Sequence, residues 1–238
     1  MQTKHAGGPY MIVGLVGRAG AGKDTCAQIL ADAQAFATVA FADALRRELV
    51  GAFGIDPRLF ANRTTKEQVQ PALALSRANE PRFVELMRAL GEDLTRPRSP
   101  RGLMRLWGTQ YRRALDGDSY WLLRLHETVE VLQGQGWRRI AITDIRFLNE
   151  AAFTRDIGGA TWRIHRRLAD AVAPDHDSEA EVDQITPDLR LHNDGSVSAL
   201  VYDVLCAYEQ TLFLNGPSGH HNSQVGIFHA DHSTTTAR

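Results

Sequence analysis

The chain has 238 residues, 43% of them apolar and 23% charged, with a formal net charge of −1. That size and apolar content suit one domain with a small lid subdomain, and the balanced charge argues against a protein that coats nucleic acid, while allowing a local basic pocket. No apolar stretch approaches the roughly 20 residues needed to cross a bilayer, the N-terminus lacks the order of a secretory signal, and two cysteines, Cys26 and Cys206, suit a reducing compartment. The expectation is a cytoplasmic protein with no membrane partner and no direct nucleic-acid binding.

In chain order, residues 1–10 read as a flexible leader. Met11–Val16 (MIVGLV) is a short apolar strand, and apolar residues recur at helical spacing over 25–35. Between them runs Gly17-Arg18-Ala19-Gly20-Ala21-Gly22-Lys23-Asp24-Thr25. Glycines at a strand-to-helix turn let backbone N–H groups surround phosphate oxygens, and the positive end of the helix faces the anion. Lys23 would reach the β- and γ-phosphates of a nucleotide. The strict P-loop pattern places Ser or Thr directly after the lysine; here Asp24 stands there, and Thr25 supplies the hydroxyl that faces Mg²⁺. A dinucleotide fingerprint fits worse, because the spacing is not G-x-G-x-x-G. Cys26, in the first turn after the cradle, reads as a small packed residue.

Further strands are expected at 38–41, 139–143, Ala160–His165 and Leu189–His192, alternating with helices, which predicts a parallel sheet covered on both faces. A helical insertion over about 54–132 carries periodicity at 66–75, 82–90, 101–115 and 119–132, after a helix at 43–53; prolines break it. A lid is expected at about 166–183, a closing helix at 196–214, and a disordered tail at 215–238 whose histidines have no metal-site spacing.

Residues 140–144 (IAITD) form an apolar run ending in a carboxylate. An aspartate leaving a buried strand beside a phosphate cradle can hold Mg²⁺ through water, so Asp144 is the metal candidate with Thr25; the alternative is a cap on the helix at 147–157. Arg146 could reach a transferred or acceptor phosphate. Glu150 either holds Arg146 through a charged hydrogen bond or is a surface residue. Asp43 either faces an acceptor or caps its helix, with Arg46 one turn on. Trp107 and Trp121 either stack on a base, with Thr109 and Gln110 supplying hydrogen bonds, or pack in the core. His176 and Glu179 fall in the lid, where His176 is a site residue or an exposed one.

The blocks GRAGAGKDT at Gly17, FADALR at Phe41, SPRGLMRLWGTQYRR at Ser99, SYW at Ser119, TDIRFLNEA at Thr143, HDSE at His176 and HNDGS at His192 resemble, in order, the phage-type deoxynucleoside monophosphate kinases. The likeness spans about 11–214. Two departures, Ala44 where proline is common and Gln110 where an acid is frequent, lie away from the chemistry. The resemblance implies a three-layer α/β/α P-loop fold with a helical acceptor-site insertion and a lid. It implies ATP and Mg²⁺ as cofactors, a deoxynucleoside 5′-monophosphate as acceptor, small-molecule nucleotides as partners, and a homodimer. It assigns Gly17, Gly20, Ala21, Gly22, Lys23, Asp24 and Thr25 to the donor. Arg101 and Arg146 would clamp the acceptor phosphate, Arg166 or Arg167 would begin the lid, and Asp43, Arg46, Trp107, Thr109, Arg112, Asp144, Glu150, His176 and Glu179 would line the acceptor side. Other small-molecule kinases of this class, acting on dephospho-coenzyme A or phosphomevalonate, are the alternative reading, and a non-kinase ATPase module is a further one.

Overall fold

A computed structural model describes residues 10–61, 63–171 and 181–214. Five parallel strands, β1 (Met11–Val16), β2 (Ala37–Val39), β3 (Arg139–Ile145), β4 (Ala160–His165) and β5 (Leu189–His192), stand in the order β2-β3-β1-β4-β5. Every residue of β1 is buried, as a central strand covered on both faces requires. Its alternation divides the core. Ile12 and Val16 join one cluster with α2 (Phe41–Phe53) and the insertion, while Met11, Val13 and Leu15 join another with α1 (Lys23–Gln34) and the C-terminal helix. Each fully buried aliphatic side chain contributes roughly 1.5–3 kcal/mol to these layers. The result is the expected three-layer α/β/α P-loop fold.

The register of β1 against β3 slips between Gly14, which faces Ile142, and Val16, which faces Ile145. One extra residue of β3 therefore sits at 143–144, a β-bulge that re-aims Asp144 at the end of the strand. A Cβ on Gly14 would lie 2.2 Å from Ile145 Cδ1, so glycine leaves the room that Ile145 fills.

The insertion is more broken than its periodicity predicts. In place of a helix over 66–75 there is the short α3 (Arg63–Glu67), followed by 3₁₀ turns at Pro71–Leu73 and Leu75–Arg77. Proline at position 71 cannot donate within a helix and starts the next turn instead. Helix α4 (Pro81–Ala89) and α5 (Pro100–Arg105) both begin on proline, where the missing N–H costs nothing; Ser99 Oγ caps α5 by accepting from the Gly102 N–H at 3.2 Å. Beyond α5 the chain widens into a π-helix, Leu106–Arg113, then a last turn, α6 (Ala114–Asp116). Next come α7 (Tyr120–Gly134), α8 (Leu148–Asp156), α9 (Arg167–Asp170) and α10 (Val197–Leu214). Strand β2 ends before Phe41, which opens α2. Among the described residues no helix is long and apolar enough to cross a membrane.

Candidate active site

The glycines of the cradle take backbone angles that a side chain would oppose. Gly20 and Gly22 have φ of 82° and 105°, and Gly22 caps α1 in the left-handed region. A Cβ on Gly22 would also lie 2.2 Å from Asn193 Nδ2. Asn193, just past β5, donates from Nδ2 to Ala21 O at 2.8 Å, and its N–H donates to His165 O at 2.7 Å. It thus pins the cradle to the end of the sheet. In the sequence Asn193 stands out only as part of the HNDGS block at His192.

Lys23 is 9% exposed and lies folded across the loop, Nζ donating to Gly17 O at 2.6 Å and to Arg18 O at 3.0 Å. Asp24 and Thr25 face solvent in the first turn of α1. Arg166 NH1 donates to Gly20 O at 3.3 Å, which brings one expected lid arginine onto the cradle; Arg167 instead faces Asp194 at 3.4 Å. Arg18 pairs with Asp183 at 2.6 Å and donates to Asp170 O at 3.2 Å. Arg163 also pairs with Asp183, and the hydrogen bond from Arg18 leads in holding that carboxyl below its usual range. Cys26 is buried, and burial pushes its thiol up to about 12, so it is inert packing. His176 and Glu179, like most of the expected lid, lie outside the described residues.

Across from the cradle, the bulge delivers Asp144 to the start of α2. Its Oδ1 accepts from the Phe41 N–H at 2.7 Å and its Oδ2 from the Ala42 N–H at 3.0 Å. Burial raises its pKa against the pull of those amides and of Arg146. Glu150, 3% exposed, has its pKa pushed up to about 7 by burial first and the charge of Asp144 second. Its Oε2 accepts from the N–H groups of Arg146 at 2.9 Å and Phe147 at 3.2 Å, and its Oε1 faces Arg113 at 2.9 Å. The contact with Arg146 is thus to its backbone, and the guanidinium held by Glu150 is that of Arg113, which also lies 3.8 Å over the Phe147 ring.

Asp43 caps α2, accepting from the Ala40 N–H at 2.8 Å, and pairs with Arg46 one turn on at 3.0 Å. Arg46 Nε is buried without a hydrogen-bond partner. Arg101 on α5 pairs with Glu67 on α3. The guanidinium of Arg146 makes no hydrogen bond or ion pair among the described residues. Lys66, on α3, feels the positive charges of Arg46, Arg101 and Arg146 and the negative charge of Asp24; with burial, which acts most strongly, they lower its pKa. Those three arginines and Asp24, in the first turn of α1, thus all lie within electrostatic reach of Lys66. Lys66 escaped sequence reasoning because the charges that act on it come from parts of the chain far away in sequence.

Three residues expected on the acceptor side, Trp107, Arg112 and Trp121, are packed within the insertion. Trp107 is 1% exposed, with ring centroids of Phe83 and Tyr111 at 4.6 and 5.0 Å, and its Nε1 donates to Glu48 Oε2 at 2.7 Å. The same carboxylate accepts from Arg112 Nε at 2.8 Å and from the Tyr120 hydroxyl. Arg112 also pairs with Asp116 at 3.0 Å. Trp121 is buried too, donating to Gly108 O at 3.0 Å. The core reading of both tryptophans is the one that this packing matches, and Arg112 belongs to their support. Thr109 is exposed.

Thr25 offers an exposed hydroxyl beside the cradle, and each oxygen of Asp144 keeps a lone pair beyond the amide it accepts from. Among the described residues no group of three or more His, Cys, Asp or Glu side chains could hold a metal ion. That donor set fits Mg²⁺, which is carried largely by substrate phosphates and water.

No family model matches the chain. It is 24% identical over 219 residues to a protein of Acanthamoeba polyphaga mimivirus provisionally named a deoxynucleotide monophosphate kinase, covering 86% of this chain and all of that one. Among solved structures, a Thermus thermophilus protein has a TM-score of 0.47 at 17% identity, covering 86% of this chain and 99% of that one. The dephospho-CoA kinase of Campylobacter jejuni has 0.44 at 10%, covering 84% and 96%. Strand order and cradle carry the fold by themselves.

Proposed function

We propose that the protein transfers the γ-phosphoryl group of ATP to a deoxynucleoside 5′-monophosphate, giving ADP and the deoxynucleoside diphosphate, as a cytoplasmic supplier of DNA precursors. The observation that carries this reading is a phosphate cradle at the start of α1 with Arg166 on Gly20 O, while Arg46, Arg101 and Arg146 all act on the charge of Lys66 in the neighbouring insertion. Two anions must approach each other in phosphoryl transfer, and such a pocket offsets their repulsion. The name of the mimivirus relative agrees with it.

On this reading Lys23 leaves the carbonyls of Gly17 and Arg18 for the β- and γ-phosphates, while the cradle amides and Thr25 hold the donor. Arg166, already on Gly20 O, stands at the donor side, where it stabilises charge on the transferring group. Arg101 and Arg146 clamp the acceptor phosphate, with Arg46 held at its edge by Asp43; Thr109, His176 and Glu179 belong to the acceptor and lid surroundings. Asp144 and Glu150 set the start of α2 and the turn carrying Arg146. Mg²⁺, held by Thr25 and through water by Asp144, supplies charge neutralisation between the phosphates when bound. A phosphate monoester loses its second proton near pH 6, so the acceptor oxygen needs no strong base. Closure of the lid excludes water as a competing acceptor.

Purified protein with ATP and Mg²⁺, offered each deoxy- and ribonucleoside monophosphate in turn, should release ADP with at least one deoxynucleotide. Turnover only with dephospho-coenzyme A or phosphomevalonate, or hydrolysis that depends on added DNA, would overturn the reading.

A further inference from the structure

The cradle from Gly17 to Gly22 is glycine and alanine apart from Arg18, so its own side chains do little to fix it, yet amides that receive phosphate work best when they are aimed beforehand. Position 18 is held in two ways. Its carbonyl accepts from Lys23 Nζ at 3.0 Å and from the Ala21 N–H at 3.1 Å. Its side chain, only 14% exposed, reaches out of the loop to Asp183 at 2.6 Å and to the carbonyl of Asp170, the last residue of α9, at 3.2 Å. Asp183 is anchored in turn by Arg163, a buried guanidinium on β4 that also donates to Val182 O at 2.7 Å. Arg163 stands opposite Val16 in the sheet, and Val16 ends β1 just before the cradle. The path Arg18–Asp183–Arg163 thus closes a ring, out from the cradle and back to the strand beside the one it leaves. Two guanidinium groups share one carboxylate in it, so the ring carries the positive sign that suits an anionic donor.

Of the two holds, donor binding as read above removes only one. Lys23 leaves the Arg18 carbonyl for the phosphates, whereas a bound donor does not require the guanidinium to leave Asp183. Resting on that kinase reading, we propose that Arg18 is a positioning residue for the phosphate donor: fastened through Asp183 and Arg163 to β4, its side chain keeps the cradle amides aimed once Lys23 has turned to the phosphates. Arg18 acts through the loop backbone and not as a ligand of the phosphates, and Asp183 is the other half of the device.

The test uses the full chain, with Arg18→Met, Asp183→Asn and the double variant. Arg18→Met should raise the ATP KM by about 10-fold or more, the scale of one charged hydrogen bond no longer holding the amides in place, and leave the acceptor KM within about twofold. Asp183→Asn, which keeps the shape of the side chain, should reproduce most of that rise, and the two effects should not add, because both cut the same tie. It also decides the matter by the same split of constants should Arg18→Met fail to fold. A rise in Arg18→Met with none in Asp183→Asn would make Arg18 a ligand of the phosphates themselves and overturns the proposal. So does an unchanged ATP KM in Arg18→Met, an equal rise in both constants, or full additivity. Should the wild type phosphorylate no acceptor, the kinase reading falls by itself and calorimetry with ADP and Mg²⁺ decides Arg18. The wild type should then bind at least about 5-fold more tightly than Arg18→Met and Asp183→Asn alike; equal uptake by all three, or none by any, overturns it.

Discussion

At the scale of single residues, Lys23 has the most to lose. Its ammonium bridges the carbonyls of Gly17 and Arg18, so it is held at the cradle before any phosphate arrives. Lys23→Ala should lower kcat by roughly 10²-fold or more, the range for a lost donor to developing charge, with little change in thermal midpoint; a turnover number near wild type would remove Lys23 from the reaction. The cradle residues were legible because glycine spacing and a following lysine are a local code. Asn193 and Lys66 were not, since what matters about each is a partner far away in sequence. Asp144 falls between: its position after an apolar run was readable, whereas its bonds to the Phe41 and Ala42 amides depend on a neighbouring strand ending beside it.

At the scale of elements, the insertion is organised by Glu48 on α2. One carboxylate receives Trp107 and Arg112 from the π-helix and Tyr120 from α7, so three donors from two elements meet on it. The same link raises the Tyr120 pKa through burial and the adjacent negative charge. Glu48→Ala should destabilise the protein by about 3 kcal/mol, because it leaves a buried indole N–H and the Nε–H of Arg112 without their acceptor. Urea denaturation measures this, and a loss below about 1 kcal/mol would show that water replaces the carboxylate. The strands were readable from short apolar runs, and the all-parallel order followed from their alternation with helices. The π-helix was not, because its apolar spacing over 101–115 is that of an ordinary helix. Helix α3 was misplaced because Pro71 ends its continuation, and the residues after it form 3₁₀ turns.

For the whole molecule, the buried acid Glu150 links stability to pH. Its folded pKa of about 7 lies above its ordinary value of 4.5, so between those values the folded state holds the proton that the unfolded chain has released. Stability from this group is complete below about pH 4.5 and is lost as pH rises through 7. The loss is on the order of 3 kcal/mol, and the raised pKa of Asp144 acts in the same direction. Glu150→Gln keeps an acceptor for the Arg146 and Phe147 amides and should flatten the dependence of the urea midpoint on pH across this window. An equally steep dependence in the variant would place the proton elsewhere.

Counting along β3 shows how the sheet keeps its two faces apart. Ile140 and Ile142 are two positions apart and Ile145 three further on, yet all three feed the same layer of the core. Strict alternation would have turned Ile145 toward α1; the surplus residue reverses the parity. The isoleucine then needs the space that Gly14 leaves on the neighbouring strand. Kink and glycine are therefore a lock and its key: grafting either segment into another sheet without its mate would jam a methyl against a methyl or open a hole.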